Sequence, residues 1–304
     1  MKPPKFAYHA PALLDEVVQL LVRYAGDARP LAGGQSLVPM LNFRLTAPAA
    51  LIDLRRVDGL AGISIDGSHV RIGAMTRQRA AESSDLVARH LPLLRDSLGW
   101  VGHLPTRSRG TVGGSIAHAD PSAELPMTLL ALDGEVLAHG PSGARTIAAD
   151  EFFDSFFSTT LRPDEVLTAV RIPIMAPRAG YAIEEYARRT GDFAIAGVAV
   201  VVEGEGNSNS NSNGDGLPCT KARITTAGIG GRSQRLRAAE NVLLRDGLSP
   251  TAIKNAARVA AEIVDPTSDP MASSDYRRHL IWVLTERALA RAAASLNQDV
   301  TAHG

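Results

Sequence analysis

Two glycine pairs with polar neighbours stand out as candidates for chemistry: Leu31-Ala32-Gly33-Gly34-Gln35-Ser36-Leu37 and, later, Gly110-Thr111-Val112-Gly113-Gly114-Ser115. Glycine accepts positive φ and lets backbone N–H groups crowd a ligand, so each segment suits an anion such as a pyrophosphate. Two such loops facing each other would clamp a two-phosphate bridge. Neither runs into the Gly-Lys-Ser/Thr of a P-loop, and neither has Gly-x-Gly-x-x-Gly spacing, which argues against a nucleotide triphosphatase. Gly228-Ile229-Gly230-Gly231-Arg232-Ser233 comes nearer to that fingerprint, but Ser233 takes the last glycine position, and we read a structural turn.

The remaining reactive side chains form weaker constellations. His118, Asp120 and Glu124 are metal-ligand types close together, yet Pro121 interrupts regular spacing, and helix-start acids beside a loop histidine are the plainer reading. Ser36 and Ser115 each lack the closing glycine of a nucleophile elbow. Cys219 has no neighbouring histidine and reads as an unpaired thiol. Arg188 and Arg189 open a charged turn ending at Gly191-Asp192, either a solvated face or a rim contact to a phosphate or partner.

Positioning these groups takes more than one module, because 304 residues exceed one comfortable core. Apolar residues make up 45% and charged residues 21%, with 32 basic against 32 acidic, so disorder and a nucleic-acid-binding field are both disfavoured. With one cysteine the sequence holds no internal disulfide and no cysteine-ligated cluster of its own, so electron chemistry would need an organic cofactor or a partner. The start MKPPKFAYHA has no apolar core of a signal peptide, and no run reaches the length of a membrane span, so a cytoplasmic location is expected.

Periodicity then supplies the elements. Leu13, Leu14, Val17, Leu20, Leu21 and Tyr24 predict an amphipathic helix over 11–25, followed by strands at 29–32 and 50–54 and a helical turn over 36–44. A hairpin turning at Asp66-Gly67, helices from Thr76 and from Leu91 to Val101, and a break at Arg107–Gly110 precede the second glycine loop. A helix from Glu124 through Leu132, a hairpin at 134–147 and a strand at 166–172 follow. Phe152, Phe153, Phe156 and Phe157 read as core beside Leu161. Pro173 to Arg178 is a rigid connector, which places lobes at 1–58 and 59–176 and a C-terminal domain at 177–304. That last part reads as a three-stranded antiparallel sheet with helices at 238–246, 250–264 and 276–295, and its polar tract 204–216 as a solvated hairpin tip.

Ala32-Gly33-Gly34-Gln35-Ser36-Leu37-Val38-Pro39-Met40 with Arg44, Gly110-Thr111-Val112-Gly113-Gly114-Ser115 with Asp120-Pro121, and Glu124-Leu125-Pro126 together resemble the FAD-binding medium subunit of molybdenum hydroxylases. The carbon monoxide dehydrogenase type, related to xanthine dehydrogenase, is nearest, and the likeness runs through Arg188-Arg189-Thr190-Gly191-Asp192-Phe193-Ala194. The resemblance implies an α+β fold: a two-lobed, PCMH-type, vanillyl-alcohol-oxidase-like FAD-binding domain followed by the C-terminal domain. It also implies a relay in which FAD here receives electrons from [2Fe–2S] clusters on a small partner, fed by a molybdopterin cofactor on a large partner, in a dimer of heterotrimers. By the same resemblance Ala32–Leu37 and Thr111–Ser115 wrap the pyrophosphate and ribityl chain, and Glu124, where Asp is usual, holds a polar group of the cofactor. Val101 and Leu161 would line the adenine or ring pocket, and Phe193 would lie near the isoalloxazine. One departure is Glu184-Glu185, where the family commonly carries a lysine against the flavin; Arg188 is the substitute cation the sequence offers. A self-sufficient flavin oxidoreductase of the same fold and a non-catalytic assembly protein remain the alternatives, and the organic substrate and final acceptor are open.

Overall fold

The computed structural model describes residues 2–204 and 216–301, with side chains to 296. Its first lobe is a small parallel sheet in the order β1-β3-β2, from β1 (Ala7–His9), β2 (Ala28–Leu31) and β3 (Ala50–Asp53), with α1 (Leu14–Arg23) and α2 (Leu37–Asn42) in the connections. Val17 and Leu21 on α1 pack with Ala28, Ala50 and Ile52 to form its core. The expected solvent-side polarity of α1 is present: Asp15 and Glu16 lie in the first turn and Arg23 in the last, matching the helix dipole. β1 carries no alternating pattern and is held by its parallel pairing to β3.

A five-stranded antiparallel sheet organises the next part, ordered β4 (Ile63–Asp66), β5 (His69–Gly73), β10 (Val166–Pro173), β6 (Glu135–Gly140), β7 (Gly143–Ala148). The chain reaches the late central strand β10 only after a helical excursion: α3 (Gln78–Glu82), α4 (Asp85–His90), α5 (Pro92–Trp100), α6 (Leu104–Arg109), α7 (Val112–His118) and α8 (Glu124–Ala131). The short α9 (Ala149–Phe152) and the hairpin β8 (Phe153–Ser155) and β9 (Ser158–Thr159) complete it. Two expectations change here. Arg107-Ser108-Arg109 belongs to helix α6, and the second glycine pair lies inside helix α7, with Thr111 as its N-cap. The phenylalanines also divide: Phe152 and Phe153 are buried, whereas Phe156 and Phe157, at the tip of the β8–β9 hairpin, are 66% and 43% exposed.

The C-terminal part is an antiparallel sheet of β11 (Ala179–Tyr186), β12 (Ala196–Gly204), β13 (Cys219–Ala227) and β14 (Gln234–Arg235), with α10 (Arg237–Asp246), α11 (Pro250–Ile263) and α12 (Ser274–Thr301). It has four strands where three were expected, the extra one being a two-residue edge strand too short to carry alternation. From Ala196 to Val202 every residue of β12 is buried, because α8 covers one face of the sheet and α12 the other. The two halves of the chain therefore share a core: Ile183, Ala199, Val201 and Ala227 pack with the residues of α5 and α8. Most of the tract 204–216, expected to be a solvated hairpin tip, lies outside the described residues.

Candidate functional site

The strand β2 ends at Leu31, and the chain then makes the Ala32–Ser36 loop before entering α2. Gly34 has φ +74°, a left-handed conformation that turns the next amides toward one side. The N–H groups of Gly33, Gly34, Gln35, Ser36 and Leu37 find no acceptor among the described residues; the first amide of this stretch to bond internally is Val38, to the Gly34 carbonyl. A run of unpaired, adjacent donors at a helix start carries partial positive charge.

The second glycine segment behaves differently. Val112 N–H bonds to the Thr76 carbonyl, Gly113 N–H to the Ala74 carbonyl, Gly114 N–H to Thr111 Oγ1 at 3.1 Å, and Ser115 N–H to the Thr111 carbonyl. Its amides are thus occupied within the protein. Its glycines are there for close approach: a Cβ on Gly113 would stand 2.6 Å from the Ala74 backbone, and one on Gly114 3.3 Å from the Ala32 side chain. The same holds where the segments meet, since a Cβ on Gly33 would fall 2.5 Å from the Arg109 carbonyl and 2.8 Å from Gly110 Cα. The two segments are therefore brought into backbone contact, the first presenting donors and the second forming the wall behind them.

The first segment borders a cleft of about 450 Å³ lined by Leu31 to Gln35, Val38, Pro39, Arg55, Arg77 and Arg109; Ser36, Leu37 and Thr111 to Ser115 are not in its lining. The arginines were not singled out from the sequence, because each sits in a different element and only folding converges them. Arg55 is tied to Asp53, with its Nε 2.8 Å from Oδ2, and Tyr8 donates to the same carboxylate. Burial works to raise the Asp53 carboxyl, but the Arg55 and Tyr8 hydrogen bonds outweigh it and hold the group below the usual range. Arg77 donates to the Arg109 carbonyl, and its own pKa is pushed down by burial and by the charges of Arg109 and Arg55. A guanidinium so depressed marks a positive field that an anion would relieve.

Of the other expected site residues, Ser36 is the N-cap of α2 and Leu37 its first residue. Thr111, the N-cap of α7, and Val112, its first residue, are buried. Val101 is buried, and its carbonyl accepts from Arg107 Nη1 at 2.9 Å. Leu161 packs on the margin of the second core. Phe193 is 63% exposed and follows a turn whose Gly191 lies against His103, close after Val101. Arg188, the expected replacement cation, donates to the Met271 carbonyl at 3.2 Å. None of Val101, Glu124, Leu161 and Phe193 lines the arginine cleft. Glu124 instead sits at the start of α8, only 5% exposed, and burial pushes its carboxyl up to about 7. Burial likewise lowers His118 and raises Asp120, each partly offset by the other. Among the described residues no group of three or more His, Cys, Asp or Glu side chains is placed to hold a metal ion. The Cys219 thiol is buried and raised to about 11 by desolvation, the state of an inert thiol. The 228–233 segment is the turn between β13 and β14, where a Cβ on Gly228 would meet the carbonyls of Ala194 and Ile195.

An arginine-rimmed cleft beside a run of unpartnered amides has the chemistry that a phosphate-bearing cofactor needs. Residues 4–175 match the family described as the FAD binding domain in molybdopterin dehydrogenase, and residues 181–292 match the CO dehydrogenase flavoprotein C-terminal domain. The chain is 39% identical to the 6-hydroxypseudooxynicotine dehydrogenase complex subunit alpha of Paenarthrobacter nicotinovorans over 96% of each chain. It is 36% identical to the carbon monoxide dehydrogenase medium chain of Afipia carboxidovorans, covering 97% of this chain and 99% of that one. The solved carbon monoxide dehydrogenase from Hydrogenophaga pseudoflava that lacks the Mo-pyranopterin moiety superposes with a TM-score of 0.91 at 38% identity, over 97% of this chain and 99% of that chain. The chain belongs to the family of FAD-binding medium subunits of molybdenum-containing dehydrogenases.

Proposed function

We propose that this chain is the electron-relaying flavoprotein subunit of a molybdenum hydroxylase. Lobes 1–58 and 59–176 would grip the cofactor between them, with 177–304 as the C-terminal domain. The observation that carries the reading is the run of unpartnered amides from Gly33 to Leu37, of which Gly33, Gly34 and Gln35 line a cleft with Arg55, Arg77 and Arg109. That donor set fits a pyrophosphate, which needs several hydrogen bonds and compensating positive charge. Ala32 to Leu37 would hold the pyrophosphate, and Thr111 to Ser115 would pack against it and the ribityl chain. Glu124 would hold a polar group of FAD, Val101 and Leu161 would line the adenine or ring pocket, and Phe193 would lie near the ring. Bound FAD supplies a two-electron acceptor that can also pass electrons on singly.

The single cysteine supports placing the [2Fe–2S] clusters on a small partner and the molybdopterin cofactor on a large one. A dimer of such heterotrimers in the cytoplasm, delivering electrons to an external acceptor, completes the proposal; no helix among the described residues is long and apolar enough to cross a membrane. The test is to purify the complex and follow the flavin absorbance after adding the complex's organic substrate anaerobically. Bleaching that requires the iron–sulfur and molybdenum chains is expected. Oxidation of an organic substrate by this chain alone would overturn the relay in favour of a self-sufficient oxidoreductase.

A further inference from the structure

A buried carboxyl group, Glu124, and a half-buried one, Glu185, whose Oε2 is buried, come from the two halves of the chain, and the arginines around them among the described residues are committed elsewhere. Glu185 lies on β11 with Tyr181 and Ile183, the face that packs on the second core. Its cross-strand partner is Gly197, whose missing side chain would lie 3.5 Å from Met127 Cε of α8. Helix α8 begins at Glu124, one turn earlier, so Glu185 is carried to the start of α8 from the C-terminal sheet. Oε2 of Glu185 is buried with no hydrogen-bond partner among the described residues. Glu124 is 5% exposed, and apart from its own backbone N–H its carboxylate has no donor among the described residues.

The surrounding charges do not neutralise them. Arg107 reaches Glu124 electrostatically but is committed to Glu82 at 3.0 Å and to the Val101 and Gly102 carbonyls. Asp120 works against ionisation of Glu124, and burial disfavours the charged form of His118. Glu184 points to the opposite face, where Arg291 takes it. At the edge near Ile183, Arg79 pairs with Glu82 and Arg95 with Asp96. Two unpaired carboxylates in such a place cannot both ionise cheaply.

We propose that Glu124 and Glu185 act as a coupled carboxyl pair that cannot both be ionised at neutral pH, and that keeping the pair protonated fastens the C-terminal domain to the FAD-binding half beside the cofactor site. The consequence for the cofactor rests on the reading of Glu124 as an FAD-holding residue; the fastening itself does not. Burial raises both groups, Glu124 to about 7 and Glu185 to about 8, with the Glu124 charge adding to the latter. Both therefore bind protons more tightly folded than unfolded. Their contribution is fully present below the unfolded carboxyl range and is lost as pH rises through about 7 and about 8. Above that window the two like charges push the sheet and α8 apart.

The experiment is thermal and denaturant unfolding of the full chain, without added FAD, from about pH 5.5 to about pH 9, for the wild type and Glu185→Gln. The wild-type folding constant should fall by up to about tenfold per pH unit for each proton released, and Glu185→Gln, which keeps a neutral donor facing Glu124, should flatten that fall. FAD retention should weaken above about pH 8 in the wild type and not in the variant. Parallel pH profiles for the two proteins would overturn the proposal. If the variant does not fold, infrared spectra of the wild type decide: a protonated carboxyl band at neutral pH that titrates away by about pH 9 supports the protonated pair, and its absence refutes it. A chain that takes up no FAD at any pH defeats the cofactor reading alone, while the unfolding profiles still judge the pair.

Discussion

Gly33 has no room for a side chain, because the Arg109 carbonyl would lie 2.5 Å from its Cβ and cannot swing aside as a side chain would. Gly33→Val should force the two glycine segments apart and weaken FAD binding more than tenfold, or about 1.4 kcal/mol, measured by cofactor titration. Arg77→Ala removes a charge aimed at the same cleft, and a charge-assisted hydrogen bond is worth about 1.5–3 kcal/mol, so affinity should fall about ten- to a hundredfold, with salt weakening the wild type's advantage. The first glycine loop was legible in the sequence because Gly-Gly followed by polar residues states a backbone requirement locally. Arg55, Arg77 and Arg109 were not, since nothing in their neighbours distinguishes a cleft arginine from a solvated one. Glu185 was legible as a departure, but its burial depends on α8, which is far away in sequence.

Elements reveal a different limit. Alternation and helical spacing located α1, the β4–β5 and β6–β7 hairpins, β10 to β13 and α10 to α12 to within a few residues. The misread elements are those in which tertiary packing overrides local preference. Gly113 and Gly114 are poor helix formers, yet they sit in the first turn of α7 because a Cβ would collide with Ala74 at Gly113 and with Thr111 Oγ1 at Gly114. β1 and β14 are too short to show a period and exist through their partners β3 and β13. The phenylalanines make the same point in reverse, since a cluster in sequence is split by one hairpin. Phe152→Ala should cost about 3–5 kcal/mol in denaturant unfolding as a fully buried ring is lost, whereas Phe156→Ala should fall within about 0.5 kcal/mol.

Across the whole molecule the C-terminal sheet is clamped between α8 and α12, and ion pairs reinforce the junction. Asp133, just after α8, accepts from Arg223 Nε at 2.7 Å and lies 3.2 Å from Lys221 Nζ and 3.5 Å from Arg235. Burial works to raise the Asp133 carboxyl, but Arg223 and Lys221 outweigh it and hold the group below the usual carboxylate range. Its contribution is therefore present at neutral pH and lost as pH falls through that depressed value, the opposite sign to the Glu124–Glu185 pair. Asp133→Asn should lower stability by about 1–2 kcal/mol at low ionic strength, and less in high salt. Such a packed junction would suit the proposed relay, in which one cofactor is held at a fixed place between an electron donor and an acceptor. The most direct test of that account is the FAD content of the purified chain, read from its absorbance and from the nucleotide released on denaturation. We expect a yellow protein with one FAD per chain that Gly33→Val loses. A colourless, folded wild-type protein that takes up no FAD would contradict it.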